Sequence, residues 1–427
     1  MLIFGENRLE ISHILHLGES AWEGEAMRQD ERRIDTRLQH PSVGAARGGE
    51  PVSSPVYQSS TYVLPTPELG AEIAASWHPQ RFYTRYGSPN VAQVEAQVAE
   101  LEGAESVVAV GSGMAAIAAA ILSHVRAGDH VVAQTAHYTA ALSLLADWLP
   151  RQGVTVTQVD QTDLEAFRRA IGPKTRLVYT ETPTNPTMAL TDLEAVSALA
   201  RAQGAIVVAD NTFASNFNQL PLTLGVDLVV HSATKYLNGH SDVTAGVVAG
   251  PRKLIEPVWE YARVHGPVLH PMEAWLLGRG LKTYALRMRQ HNRSGALVAE
   301  ALARAGGVAK VHYPGLASHP QHELARRQMP GGFGGMMSFE VEGSTAQERF
   351  TRARSVLRNV RLCISAASLG GTETLITHPA SMIFSHQSPD QQSAAGVEPG
   401  LLRLSVGLEH HQDIVDDLAH ALSGAGD

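Results

Sequence analysis

The 427-residue sequence has one cysteine, no long apolar run and no block of basic residues. The single Cys363 excludes an internal disulfide and a cysteine-based zinc site, and its simplest interpretation is a small buried apolar residue. No apolar stretch approaches the roughly 20 residues that a membrane-spanning helix needs. With 34 basic and 42 acidic residues the net charge is −8, which argues against a nucleic-acid or anionic-membrane partner.

What remains is typical of a globular metabolic enzyme, with 44% hydrophobic and 18% charged residues. The length suits two or three domains of roughly 150 residues each. Residues 1–35 are acidic and their apolar segment is too short for a signal peptide, so we expect a cytoplasmic protein with an N-terminal extension of no assigned role. Met27 is an alternative start. The 20 histidines are scattered, and we expect no metal site.

Between residues 85 and 281, apolar strand-like runs alternate with helix-length segments, as at 193–202. This alternation predicts an α/β domain with a mostly parallel sheet whose ligand lies at the carboxyl ends of the strands. A smaller α+β domain is predicted for residues 282–427, and the Gly-, Pro- and Ser-rich segment within 36–84 predicts an extended arm. The strand-like runs are 106–110, 130–133, 154–159, 176–180, 205–209, 228–230, 336–341 and 402–406.

The segment 231–243 places Ser232, Thr234 and Lys235 where a buried strand opens into a loop. A lone lysine is most simply a solvated surface residue. Here, however, two hydroxyl side chains within three residues suit a phosphate. A lysine that can be desolvated and kept neutral suits Schiff-base chemistry, so these neighbours favour Lys235 as a reactive residue.

Residues 111–114, Gly-Ser-Gly-Met, join the first predicted strand to an Ala-rich helix. Backbone N–H groups at that helix start, at Gly113 and Met114, can bind an anion. The same residues also begin a Gly-x-Gly-x-x-Ala dinucleotide fingerprint, which makes a nicotinamide-dependent oxidoreductase the rival hypothesis. That fingerprint needs an acidic residue at the end of the second strand, where this chain has Gln134. We therefore favour a phosphate cradle.

Other candidate residues also follow predicted strands. Tyr138 can stack on a flat cofactor, although core packing is the simpler alternative. Asn185 lies between Pro183 and Pro186, which restrict its backbone. Asp210 ends a hydrophobic strand, where a carboxylate is costly to bury without a cationic partner, although it can also cap a turn. All three are predicted to lie at one edge of the sheet.

Arg85 and Arg403 can each be interpreted as either a structural or a ligand-binding residue. Arg85 lies two residues after Tyr83 in a strand-like segment, which puts both on one face, able to grip a phosphate. An ordinary surface strand end is the alternative. Arg403 lies between apolar residues of a predicted strand. It is either an edge arginine with a buried stem or a planar group that binds a carboxylate.

The sequence Ser-Ala-Thr-Lys-Tyr at 232–236, followed by Asn-Gly-His-Ser-Asp-Val, resembles the pyridoxal-phosphate attachment motif of the Cys/Met-metabolism (trans-sulfuration) enzymes. The similarity extends from about residue 38 to about residue 417. It implies a fold-type I enzyme with a mostly parallel seven-stranded sheet and pyridoxal 5′-phosphate attached to Lys235. It also implies a homodimer with shared active sites, assembled into a homotetramer.

The resemblance also assigns roles. It implies that Asp210 pairs with the pyridine nitrogen, that Tyr138 stacks on the ring and moves protons, and that Arg403 clamps the substrate α-carboxylate. Tyr83 and Arg85 match Tyr-x-Arg-x-x-x-Pro, which reaches into the neighbouring subunit's site. The implied catalytic residues are Lys235, Tyr138 and Asp210. The implied cofactor-binding residues are Tyr83, Arg85, Gly113, Met114, Tyr138, Glu181, Asn185, Asp210, Ser232, Thr234 and Lys235.

Branch-level similarities are mixed. Residues 368–375 and 378–382 resemble the methionine γ-lyases, whereas Asn-Gly-His-Ser-Asp-Val is closer to the cystathionine γ-lyases and γ-synthases. Ala140 replaces a cysteine typical of the first branch. Ala367 stands where cystathionine-handling branches carry glutamate. We predict γ-elimination on methionine, homocysteine or cystathionine, with γ-replacement on acylated homoserine as the alternative. The predicted substrate-binding residues are Ala367, Ser368 and Arg403.

Overall fold

A computed structural model describes residues 33–40 and 51–426. Met27, most of the predicted extension and residues 41–50 of the predicted arm lie outside the described residues. The strands are β1 (Ser106–Val110), β2 (His130–Gln134), β3 (Thr155–Val159), β4 (Thr175–Glu181), β5 (Ile206–Asp210), β6 (Leu228–His231), β7 (Gly246–Gly250), β8 (Val308–His312), β9 (Met336–Val341), β10 (Ile364–Ser365), β11 (Leu375–Thr377) and β12 (Leu401–Ser405). The α-helices are α1 (Ile34–Gln39), α2 (Pro67–Ala75), α3 (Pro89–Glu102), α4 (Gly113–Leu122), α5 (Thr139–Ser143), α6 (Leu149–Arg151), α7 (Leu164–Ala170), α8 (Leu193–Ala202), α9 (Ser215–Asn218), α10 (Arg252–His265), α11 (Pro271–Leu281), α12 (Tyr284–Leu302), α13 (His322–Gln328), α14 (Ala346–Asn359), α15 (Pro389–Ala394) and α16 (His411–Ser423).

The larger sheet has seven strands in the order β1-β7-β6-β5-β4-β2-β3. Only β7 runs antiparallel to its neighbours, so the predicted mostly parallel sheet is confirmed. The sequence-based strands match β1 to β6 closely, but β7 was not among them. The connection from β6 to β7 contains turns and no crossover helix, so the chain returns in the opposite direction.

Both faces of this sheet are covered. In β1, Val107 and Ala109 face one core while Val108 and Val110 face the other, the two-residue period of a strand. Helices α3 and α11 pack on the first face, and α4 and α10 on the second. Strands buried on both faces are apolar throughout, so polar side chains are concentrated at their ends.

The smaller sheet has the order β10-β11-β12-β9-β8 and is antiparallel except between β10 and β11. Helices α12, α14 and α16 pack on it around a separate core. This confirms a smaller C-terminal α+β region, with β9 at its predicted bounds and β12 starting one residue early. The boundary at 281/282 remains a prediction, and it coincides with the end of α11. Within the described residues no helix is long and apolar enough to cross a membrane.

Candidate active site

A cavity of about 510 Å³ lies where the carboxyl ends of β4, β5 and β6 meet the second sheet. It brings together every predicted site residue except Tyr83 and Arg85. The predicted residues that line it are Gly113, Met114, Tyr138, Glu181, Asn185, Asp210, Ser232, Thr234, Lys235, Ala367, Ser368 and Arg403. The sequence pattern therefore located one site from residues more than 250 positions apart in the chain.

Lys235 follows β6, and its amine donates a hydrogen bond to Ser368 Oγ at 2.8 Å. Burial, assisted by the nearby positive charge of Arg403, lowers the pKa of Lys235 to about 8. Both causes disfavour the ammonium form. Lys235 therefore has a larger neutral, nucleophilic fraction near neutral pH than a surface lysine has.

Arg403 projects from β12 and is only 4% exposed. Its guanidinium donates to Asn185 Oδ1 at 3.1 Å and to the Ser368 carbonyl oxygen at 2.9 Å. Burial lowers the pKa of Arg403 to about 10. No carboxylate of the described residues pairs with it. A buried cation without an anion is costly, so the fork of Arg403 is suited to bind an anionic ligand.

Asp210 ends β5 directly beside Glu181, which ends β4. Burial and the Glu181 charge raise the pKa of Asp210 to about 6. The backbone N–H of Thr212 donates to Asp210 Oδ1 at 3.0 Å, so the residue also caps a turn. A buried carboxylate beside a second carboxylate favours a cationic ligand, which fits a protonated ring nitrogen.

Glu181 lines the cavity and also binds the backbone of two neighbouring predicted residues. Its two carboxylate oxygens accept the backbone N–H groups of Tyr138 at 2.8 Å and Asn185 at 2.9 Å. Its own N–H donates to Gln134 Oε1 at 2.7 Å. Glu181 therefore positions two predicted cofactor-binding residues through one backbone donor on each carboxylate oxygen.

The opposite end of the cavity is suited to a phosphate. Ser112 Oγ caps α4 by accepting the Ala115 N–H at 3.1 Å. The N–H groups of Gly113 and Met114 lie in the first turn of α4 and therefore have no intrahelical acceptor. A Cβ on Gly113 would lie 2.7 Å from Ser232 Cβ and Oγ. Only glycine therefore allows the helix start to approach Ser232 this closely.

The hydroxyl of Thr234, which was predicted to bind a phosphate, already has two hydrogen bonds to the backbone. It donates to the Ala245 carbonyl oxygen at 3.2 Å and accepts the Ala245 N–H at 3.0 Å. Thr212, which the sequence reasoning missed, lies close by, because its hydroxyl accepts the Ser232 N–H at 2.8 Å. These bonds hold the turn that carries Ser232 and Thr234 into the cavity.

Tyr83 and Arg85 do not line the cavity of their own chain. Tyr83 forms an isolated bridge with Thr61, and the next residues form a turn, so the expected strand-like segment is wrong. The chain turns there because Ser88 caps α3 almost immediately afterwards. The Arg85 guanidinium lies 5.4 Å from the Tyr83 ring centroid and donates to the Arg263 carbonyl oxygen at 2.6 Å. The Tyr83 and Arg85 side chains nevertheless lie next to each other, as predicted, and the Tyr83 side chain is 43% exposed.

Several lining residues carried no clear signal in the sequence. Ser112 lies in the Gly-Ser-Gly-Met segment and Thr212 lies two residues after Asp210, so the helix cap and the strand end could have revealed them. Ile383 comes from a loop with no motif of its own. The lining residues that were not predicted are Ser112, Ile117, Thr139, Thr212, Phe213, Leu369 and Ile383.

A buried lysine of lowered pKa, a buried acid, a helix-start anion cradle and an unpaired arginine together fit pyridoxal phosphate and an amino-acid carboxylate. Fold and site thus define a pyridoxal-phosphate-dependent enzyme of fold type I. The chain matches the family model described as Cys/Met metabolism PLP-dependent enzyme over residues 36–423. It belongs to that family. The nicotinamide alternative is therefore wrong, and Gln134 at the end of β2 supplies no acid for a ribose.

Similar proteins include an L-methionine gamma-lyase from Porphyromonas gingivalis, 45% identical over 376 residues, with 87% of this chain and 92% of that protein covered. An O-succinylhomoserine sulfhydrylase from Pseudomonas aeruginosa is 40% identical, with 86% and 90% covered. The crystal structure of a cystathionine gamma-lyase from Lactobacillus plantarum complexed with L-serine is 36% identical. It has a TM-score of 0.86, with 92% of this chain and 100% of that chain covered.

Replacement of Asp210 by Asn should have opposite effects on the stability of the cofactor-free protein and on its affinity for the cofactor. Because the fold raises the pKa of Asp210 from 3.8 to about 6, ionisation opposes folding, and the cofactor-free protein loses stability as the pH rises through that window. Asp210→Asn should therefore stabilise the cofactor-free protein at pH 8 by on the order of 1–3 kcal/mol, and by nothing near pH 3. It should also weaken cofactor binding. Urea unfolding and cofactor titration at both pH values measure these effects; an equal stability gain at both values would contradict this account.

Proposed function

We propose that the protein is a carbon–sulfur lyase that performs γ-elimination on methionine or homocysteine, with cystathionine as a further substrate. The observation that carries the proposal is the pairing of one anion-free cation, Arg403, with an uncharged wall formed by Ala367, Leu369 and Ile383 in the same cavity. Such a cavity suits a ligand with one carboxylate and a short apolar side chain. The 45% identity to a methionine gamma-lyase supports the same assignment.

For methionine, the reaction consumes one water and gives methanethiol, 2-oxobutanoate and ammonium. The Cγ–S bond breaks with its electron pair on sulfur, which is then protonated, and the α-amino nitrogen leaves as ammonium. The cofactor, when bound, supplies the electron sink for negative charge that develops at the α- and β-carbons.

The residues of the chain perform the remaining tasks. Arg403 holds the α-carboxylate and so orients the Cα–H bond. The Lys235 amine, with its pKa lowered to about 8, takes the α-proton and can return it along the substrate chain. Tyr138, fixed through its N–H to Glu181, is the acid that protonates the departing sulfur. Asp210 would hold the cationic ring nitrogen of the bound cofactor, and Ser368 Oγ accepts a hydrogen bond from the Lys235 amine at 2.8 Å, which orients that amine.

A product assay tests the reaction class. Purified enzyme with pyridoxal phosphate should release 2-oxobutanoate and a thiol in equal amounts from methionine. With O-succinylhomoserine and either sulfide or a thiol, formation of homocysteine or of a thioether at a higher kcat/KM would instead favour γ-replacement, and an O-succinylhomoserine sulfhydrylase is among the similar proteins. Absence of turnover with every sulfur amino acid and acylated homoserine would contradict the proposal.

A specific observation keeps cystathionine as a second substrate. A neighbouring cavity of about 690 Å³ shares Ala367 and Ser368 with the active-site cavity. It is lined by the carboxylates of Asp242, Glu273 and Glu373. Cystathionine carries a second ammonium group at its far end, which these acids suit, whereas methionine has no such group.

Ala367→Glu tests what the uncharged position does to specificity. A glutamate beside Ser368 would supply a charge-assisted contact to the distal ammonium of cystathionine, worth about 1.5–3 kcal/mol. We therefore expect the ratio of kcat/KM for cystathionine over methionine to rise roughly ten- to a hundredfold. Ala367→Gln, of similar size and without charge, is the matched control. An unchanged ratio in the glutamate variant would show that residue 367 does not contact the distal group.

We also propose that the enzyme is cytoplasmic and acts as a homodimer with shared sites, assembled into a homotetramer. The support is the absence of Tyr83 and Arg85 from their own cavity, together with exposed apolar side chains on and near α10 and α11, at Val264, Val268 and Met272. These side chains suit a contact with a second copy.

Subunit mixing tests this arrangement. Arg85→Ala and Lys235→Ala homomers should both be impaired, the second far more strongly. A mixed dimer contains one site with neither substitution, so up to a quarter of wild-type activity should return when both exchange freely. Native mass spectrometry verifies the exchange. Complete exchange without recovery would show that each site is built from one chain.

A further inference from the structure

Arg287 is a buried arginine outside the active-site cavity. It lies in the first turn of α12 and is 4% exposed. Its guanidinium donates to the carbonyl oxygens of Tyr236 at 2.7 Å, Leu237 at 3.2 Å and Gly280 at 3.0 Å. Nε also donates to Thr283 Oγ1 at 3.2 Å. Burial lowers the pKa of Arg287 to about 10, and no described carboxylate pairs with it.

The comparison with Arg403 shows what distinguishes Arg287. Both are buried and lack an acidic partner, but Arg403 faces the cavity with most of its donors free. Arg287 uses four hydrogen bonds, three of them to backbone carbonyls. A guanidinium has five N–H donors in a planar fork, so little capacity is left for a ligand. Arg287 therefore binds the protein backbone.

Two of the three carbonyls that Arg287 holds belong to Tyr236 and Leu237, the two residues directly after Lys235. The turn itself closes by the Gly239 N–H donating to the Lys235 carbonyl oxygen at 2.8 Å. A Cβ on Gly239 would lie 1.8 Å from Arg287 Nη1, so the turn and the guanidinium are fitted closely. The third carbonyl, of Gly280, belongs to α11, which ties this turn to the junction of α11 and α12.

Helix α12 also packs on β8, β9 and α16 of the second sheet. That sheet region supplies Ser368, the residue that accepts the Lys235 amine hydrogen bond. The distance between Lys235 and Ser368 thus depends on how the turn that follows β6, which contains Lys235, is positioned relative to α12. We propose that Arg287 is a positioning residue for Lys235, which fixes the turn after the lysine on the α11–α12 junction and so holds the amine against Ser368.

Cofactor attachment tests this proposal without relying on turnover. Cofactor-free protein is mixed rapidly with pyridoxal phosphate over a range of pH, and the visible absorbance of the covalent linkage gives a rate and a pH midpoint. In Arg287→Met we expect the rate to fall roughly 10- to 100-fold, because a displacement of about 1 Å has effects of this size. The midpoint should rise, because a less confined Lys235 amine is better hydrated. The other titratable groups lining the cavity, namely Arg403, Tyr138, Asp210 and Glu181, are the same in both proteins.

Arg289→Met is the matched control. Arg289 lies two residues further along α12 and pairs on the surface with Asp35 at 2.6 Å, so its loss should leave rate and midpoint unchanged. Arg287→Lys keeps a charge but not the fork and should be slowed less than Arg287→Met. If Arg287→Met does not fold, the attachment rate and pH midpoint of Arg287→Lys alone test the proposal. Wild-type rate and midpoint in the folded Arg287 variants, whatever their melting temperature, would show that Arg287 only stabilises the fold.

Discussion

Lys235→Ala should abolish covalent cofactor attachment and reduce turnover of methionine by at least about 10³-fold, because we propose this residue as both the nucleophile and the proton carrier. The pKa of Lys235, lowered to about 8, suits this proposed role, because a larger fraction of its amine is neutral near neutral pH than in a surface lysine. Attachment in the wild type should therefore accelerate as the pH rises through 8. Borohydride reduction followed by peptide mass spectrometry locates the linkage, and thiol release measures turnover.

Lys253→Ala is the control for Lys235→Ala. Lys253 is exposed on α10 and lines none of the site, so its removal should change neither attachment nor turnover. Noncovalent binding of pyridoxal phosphate should survive in Lys235→Ala, because the helix-start cradle, Ser232 and Asp210 are untouched. A Lys235→Ala protein that still yields a reduced, cofactor-labelled peptide would show that another amine forms the linkage.

The sequence could predict which residues lie at the cavity where they follow a strand. Asp210, Asn185 and Lys235 each follow an apolar run, and parallel strands carry such residues to one edge. Arg403 could be placed on a strand by its apolar neighbours. Its lack of an acidic partner could not be predicted, because that depends on Asn185 and Ser368 folding against it.

Other features depend on tertiary partners that no local pattern encodes. Glu181 stands in a recognised motif, yet its carboxylate is occupied by the N–H groups of Tyr138 and Asn185. Arg287 lies in an Arg- and Gln-rich helix and resembles a surface residue until its three carbonyl partners are seen. Strand β7, Gly-Val-Val-Ala-Gly, is as apolar and buried as the predicted strands, so its residues could have revealed it. Its antiparallel direction follows from the turns between β6 and β7, which contain no crossover helix.

The active site is assembled across the two sheets, which explains why single substitutions should have large effects. Lys235 bonds to Ser368, Arg403 bonds to Asn185, and Ser338 Oγ of β9 donates to the Pro186 carbonyl oxygen at 2.6 Å. Each bond joins the larger sheet's side of the cavity to the smaller one. The position of Lys235 relative to Arg403 is thus fixed by the packing between the two sheets.

Arg403→Met should lower kcat/KM for methionine by roughly 30- to 1,000-fold, the range expected when one partner of a buried, hydrogen-bonded charge pair is removed. Arg403→Lys should recover little, because an ammonium group cannot bind both carboxylate oxygens in the planar geometry of the guanidinium. Steady-state kinetics measure the loss, and the visible spectrum verifies that the Lys235 linkage is intact in both variants.

The carboxylate contact can be separated from a structural role of Arg403 by a substrate analogue that lacks the carboxylate, 3-(methylthio)propylamine. The wild type should use this amine poorly, and Arg403→Met should reduce its already low rate much less than it reduces that of methionine, as in a double-mutant cycle. Arg403 also holds Asn185 and the Ser368 carbonyl, so some loss with both compounds is expected. If methionine and the amine lost activity by the same factor, Arg403 would act by holding these two residues and not by binding the substrate carboxylate.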